Sequence, residues 1–142
     1  MAKNKRIIVD SSVIVKWLSS QDEKHIHKAN KILKHAKEDK IELFTSELAK
    51  YEVGNTMLTG KELSNFQAFI SLGTLYNLPL TFISETEESA QETYALGQKL
   101  NLTYYDAAFI SLAKKMEASL VTDDKDQVKS AEVKVIPLSK YK

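Results

Sequence analysis

A three-layer α/β/α sandwich around a central parallel sheet of about five strands is the α/β fold this sequence predicts. Short apolar runs alternate with segments of helical period along the whole chain, the pattern of strands joined by helical crossovers. Several runs, such as Ile7–Val9 and Leu120–Thr122, are apolar without alternation, as strands covered on both faces are. The chain has 142 residues, 43% of them hydrophobic. That suits one domain with a sizeable core, here expected to span residues 1–142.

Taken in order, Ile7–Val9 reads as the first strand. Ser11–Leu18 follows as a short helix with Val13, Ile14, Trp17 and Leu18 on its apolar side and a serine near its start. Lys24–Lys40 is two-faced: Ala29, Ile32, Leu33 and Ala36 oppose Lys24, Lys28, Lys31 and His35. That basic strip reads as a solvated face, or more sharply as a surface for RNA phosphates or a protein partner. Ile41–Phe44 is the second strand, and a helix capped by Ser46 runs through Leu58 to Gly60. Lys61–Leu78 reads as a helix burying Leu63, Phe66, Phe69, Ile70, Leu72 and Leu75, stopped by Pro79. Leu80–Ile83 is the third strand. Ser84 and Glu87 match a capping box for a helix Glu85–Leu100, and Thr103 opens Tyr104–Met116. Ser119–Thr122 and Val133–Ile136 complete the strands, with no repeat or low-complexity segment between elements.

Lys plus Arg number 20 against 19 Asp plus Glu, for a net charge of +1. Bulk electrostatic binding of nucleic acid is therefore not expected, although a local basic patch is compatible with that balance. The absence of cysteine excludes disulfide frameworks and thiolate metal sites. The basic N-terminus is followed by too short an apolar run for a signal peptide, and no run reaches membrane-spanning length. A cytoplasmic protein with no membrane association is the expectation.

Four acids flank these elements: Asp10, Glu52, Asp106 and Asp124. Asp10 and Asp124 lie at the carboxyl ends of strands, the edge of an open parallel sheet where ligands bind. Each acid also has an ordinary explanation. Asp10 can cap a helix, Glu52 is a good helix former, Asp106 fits a capping box with Thr103, and any of Asp123, Asp124 and Asp126 can serve a turn.

Together the four segments resemble the motifs of PIN-domain proteins. Val9-Asp10-Ser11-Ser12-Val13-Ile14-Val15-Lys16-Trp17-Leu18 is similar to the opening motif, and Tyr51-Glu52-Val53-Gly54-Asn55 to the second. Tyr105-Asp106-Ala107-Ala108-Phe109 through Leu112-Ala113 is similar to the third, and Leu120-Val121-Thr122-Asp123-Asp124 to the fourth. The resemblance covers nearly the whole chain and is nearest to the VapC-type toxins of toxin–antitoxin pairs. Two positions depart from the pattern. Asp123 stands where the family usually has a small or neutral residue, so Asp123 or Asp126 could share or replace the role carried onto Asp124. Thr45 stands where proline is frequent.

The resemblance implies a metal-dependent endoribonuclease in which Asp10, Glu52, Asp106 and Asp124 are the catalytic and metal-binding acids. Ser11, Ser12 and Thr122 would orient them by hydrogen bonds. Like charges ~5 Å apart repel by roughly 3 kcal/mol at an effective dielectric of 20. Hard oxygen donors with no His or Cys suit Mg²⁺ or Mn²⁺, and such an ion would offset that repulsion. RNA as substrate, a small antitoxin as partner and a homodimer are likewise what the family implies. The alternatives are an inactive PIN-like scaffold binding RNA or protein and a stand-alone RNA-processing nuclease. A receiver domain would need a phosphoacceptor aspartate after a central strand, and a haloacid-dehalogenase-type phosphatase an Asp-x-Asp after the first. Neither pattern is present.

Overall fold

The computed structural model describes residues 4–18, 24–60, 62–124 and 132–142. Five strands form one sheet: β1 (Lys5–Val9), β2 (Ile41–Ser46), β3 (Thr81–Ile83), β4 (Ser119–Thr122) and β5 (Val135–Pro137). Every pairing is parallel, in the order β3-β2-β1-β4-β5. The helices are α1 (Ser11–Leu18), α2 (Ile26–Lys37), α3 (Leu48–Gly60), α4 (Asn65–Tyr76), α5 (Glu87–Leu100) and α6 (Tyr104–Lys115), with a short 3₁₀ turn at Leu138–Lys140.

Strands β1 and β4, inside the sheet, are deeply buried. Ile7, Ile8 and Val9 of β1 and Leu120 and Val121 of β4 have no exposed surface, as the unbroken apolar runs require of strands covered on both faces. Helix α1 packs against α2, α3 and α4, while α5 packs on α6, which lies over β1, β2 and β4. Those two helical groups are the outer layers, and the α/β/α expectation holds.

Element boundaries differ from the sequence reading in instructive places. Helix α4 begins at Asn65, because Ser64 and Gln67 form a reciprocal capping box there. The sequence carries that Ser-x-x-Gln signature. Helix α5 is opened by Thr86 with Ser89, not by Ser84 with Glu87. Burial on α4 is the larger correction. Leu75 is buried, and Leu63 and Leu72 pack on the core. Phe66, Phe69 and Ile70 are 74, 68 and 55% exposed. The helix is apolar on more than one side, and periodicity cannot say which side meets the core.

Candidate active site

The strand order reverses direction between β1 and β4, which makes their carboxyl ends the switch point where open parallel sheets bind ligands. Val9 pairs with Val121, so Asp10 and Thr122 lie side by side at that edge. Asp10 is 2% exposed. Its carbonyl accepts the N–H groups of Val13 and Ile14 at 3.2 and 3.3 Å, and its carboxylate also bonds the Val13 amide. Asp10 therefore caps α1, as the capping reading of this residue expects. Ser12 donates to Oδ1 and Thr122 to Oδ2. Burial nevertheless dominates and lifts the carboxyl from 3.8 to about 6. The Ser12, Thr122 and Val13 donors oppose that rise, and the Asp124 charge adds to it.

Glu52 comes from α3 and is half-buried. Its Oε1 accepts from Ser11 Oγ at 3.1 Å. Burial raises its carboxyl above the ordinary range, the Ser11 bond opposes, and the charges of Asp106 and Asp124 raise it further. Asp106 sits in the first turn of α6, where Thr103 Oγ1 accepts its N–H at 3.1 Å. That turn is pressed against α5, for a Cβ placed on Gly97 would meet the Ala107 Cβ at 3.4 Å. Four acids from four parts of the chain thus share one electrostatic neighbourhood. They bear on one another through space, as Asp124 does on Asp10 and Asp106 does on Glu52.

The loop after β4 separates two of the three candidate fourth acids, Asp123 and Asp124. The Asp124 N–H donates to Thr122 Oγ1 at 2.9 Å, and the Asp123 N–H to Ser12 Oγ at 3.0 Å. The Asp123 carboxylate lies 3.3 Å from the Lys16 ammonium. Asp126 lies outside the described residues. Sequence reasoning gave Lys16 no role, although a lysine inside an otherwise apolar helix was the available signal. Thr45 it noted only as standing where proline is frequent. That residue is fully buried, and its Oγ1 donates to the Val9 carbonyl at 2.6 Å, tying β2 to the residue before Asp10.

The donor set is hard carboxylate oxygen, the chemistry that fits Mg²⁺ or Mn²⁺. Among the described residues no three carboxylate or imidazole groups close into a ligand set. Mg²⁺ is commonly held through one or two carboxylates with waters retained, so it requires no such closed set. The basic strip of α2 is partly committed elsewhere. Lys28 Nζ donates to the Tyr141 carbonyl at 2.7 Å, and His35 Nδ1 lies 2.7 Å from the Tyr141 hydroxyl. Two of its four members therefore fasten the chain's last turn to α2.

Solved structures that resemble this chain include a toxin–antitoxin complex from Klebsiella pneumoniae. It has 18% identity and a TM-score of 0.68, with 93% of this chain and 97% of that one covered. VapBC2 from Rickettsia felis, bound to a DNA fragment from its promoter, gives 15% identity and a TM-score of 0.71, covering 92% and 97%. Mycobacterium tuberculosis VapC20, a sarcin–ricin loop cleaving toxin, gives 14% and 0.70, covering 92% and 99%. No curated protein matches the chain in sequence. At such identities the likeness concerns the fold. The PIN domain family model, however, matches residues 7–133, a span that contains Asp10, Glu52, Asp106 and Asp124 together with the strands and helices that bring them near one another. The chain belongs to the PIN domain family.

Proposed function

We propose that this protein is a Mg²⁺- or Mn²⁺-dependent endoribonuclease acting in the cytoplasm as the toxin of a type II toxin–antitoxin pair. One observation carries the reading. A carboxylate buried at the switch point of the sheet is held by two hydroxyls and sits within the electrostatic reach of other acids, an arrangement that costs stability unless a cation is present. Asp10, Asp106, Asp124 and Glu52 would hold the ion, directly or through water. What the ion supplies when bound is positive charge against the phosphate oxygens and a readier ionisation of water.

The protein's own contribution is placement. Ser12 and Thr122 fix both oxygens of Asp10, Ser11 orients Glu52, and Thr103 sets the turn that carries Asp106. These polar partners let a ligand carboxylate keep one orientation without a costly search at the moment of reaction.

Exposed apolar side chains at helical spacing on α4, Phe66, Phe69, Ile70 and Tyr76, with Leu58 exposed on α3, support a protein partner. Isolated apolar side chains need no explanation, whereas several along one face of a helix mark an interaction surface. An antitoxin or a second copy of the chain would cover it. The neighbours titled as toxin–antitoxin assemblies favour the antitoxin.

Purified protein with Mn²⁺ or Mg²⁺ should cut RNA internally, EDTA should stop it, and Asp10→Asn, Asp106→Asn and Asp124→Asn should each abolish it. Cleavage by the Asp10→Asn protein at the parent rate would assign the activity to a contaminant. A metal-binding parent that cuts no RNA would make the chain a scaffold.

A further inference from the structure

We propose that Lys16 and Asp123 form a clamp that fixes Asp124 against Asp10, so that Asp123 is a positioning residue and not a metal ligand. The proposal rests on the nuclease reading only for the use to which the clamp is put.

Lys16 is 5% exposed, although lysine is seldom buried without a counter-charge. Its Nζ lies 3.3 Å from Asp123 Oδ2. Ser12 and Lys16 are four residues apart on α1 and so lie on one face of the helix. From that face Ser12 Oγ takes the Asp123 N–H and Lys16 takes its side chain. Backbone and carboxylate of one residue are thereby held by one helix, and that helix starts at the cap supplied by Asp10.

The next residue is Asp124. Its N–H is on Thr122 Oγ1, and Thr122 in turn donates to Asp10. Two parallel chains of contact result, one through Ser12 and Asp123 and the other through Thr122 and Asp124. Both end on the Asp10 carboxylate. Within the described part of this loop, the charge of Asp124 bears on Asp10 and on Glu52. An ammonium at 3.3 Å leaves the Asp123 oxygens weaker donors to a cation. An acid that at first reading competes with Asp124 for the fourth position instead holds its neighbour in place.

The test uses Lys16→Met, which keeps the stem and removes the charge, with Asp123→Asn and the conservative Lys16→Arg. In metal-free protein, NMR-detected hydrogen exchange at the Asp123 and Asp124 amides should quicken about ten-fold or more in the first two variants. The amides of Leu120 and Val121 should keep their protection, and Lys16→Arg should stay near the parent. Calorimetric Mn²⁺ affinity should fall about 10–100-fold in both variants, as when a ligand loses its supporting contact. Because the two residues act as one unit, the double variant should be no weaker than either single.

Unchanged Asp124 exchange in both Lys16→Met and Asp123→Asn would overturn the clamp. So would loss of Mn²⁺ binding in Asp123→Asn with parental affinity in Lys16→Met, since that makes Asp123 a ligand. If Lys16→Met fails to fold, Asp123→Asn and Lys16→Arg still decide the exchange result. A parent that binds no Mn²⁺ while the variants loosen Asp124 would sink the nuclease reading and leave the clamp standing.

Discussion

Replacing Asp10 by asparagine removes a buried negative charge while nearly keeping its shape, and the expected result is a more stable protein at neutral pH without metal. Burial lifts the carboxyl from 3.8 to about 6, which amounts to about 3 kcal/mol at ~1.4 kcal/mol per pH unit. A carboxyl that binds its proton more tightly in the folded state contributes stability below pH ~4. That contribution is lost as the pH rises through ~6. At pH 7.5 the parent therefore carries the full cost. Asparagine avoids it but offers only one oxygen to the two hydroxyl donors of Ser12 and Thr122, so one hydrogen bond worth about 1 kcal/mol is disrupted. The net gain is about 1–2 kcal/mol, or several degrees in Tm for a domain of this size. Thermal unfolding in EDTA at pH 7.5 and pH 4.5 measures it. The advantage should shrink or reverse at the lower pH. If Asp10 holds the ion as proposed, millimolar Mn²⁺ should raise the parent's Tm more than the variant's. A variant less stable than the parent at pH 7.5 in EDTA would show that the carboxylate is worth more as a helix cap than it costs as a buried charge.

Other substitutions probe the supports and the surface. Thr103→Ala removes the acceptor for the Asp106 N–H and should cost about 1 kcal/mol in denaturant unfolding, with weaker Mn²⁺ binding as the α6 turn loosens. Thr45→Val keeps the volume but deletes the buried hydroxyl on the Val9 carbonyl. A loss of about 1–2 kcal/mol is expected, and a neutral result would show that this hydroxyl does not help to hold β1 and β2 together. Phe69→Glu, on the exposed side of α4, should change folding stability by no more than about 0.5 kcal/mol. It should still abolish co-purification with a co-expressed antitoxin, and unchanged complex formation would move the partner surface elsewhere.

Much of this arrangement was legible in the residues. Strands buried on both faces leave apolar runs such as Ile7-Ile8-Val9. The helix starts leave hydroxyls such as Thr103, whose side chain caps α6. Ser64 with Gln67 carries an equally readable sign, obscured because Lys61-Glu62-Leu63 ahead of it are good helix formers. The inward side of α4 was not legible. Phe66, Phe69 and Ile70 carry the same local pattern whether they meet a core or face outward, and only the neighbouring elements select between the two.

The sequence by itself determined which segments are strands and which are helical crossovers, since hydrophobic period and capping residues act within a few positions of one another. It also determined that the acids are of a hard-oxygen type. Tertiary structure alone decided that β1 and β4 are neighbours, although their partners Val9 and Val121 lie far apart in the chain. It alone decided that Asp123 faces the ammonium of Lys16 while the charge of Asp124 bears on Asp10. Electrostatic interactions depend on distance through space, and adjacent carboxylates in one loop become different groups once the fold has given each its neighbours.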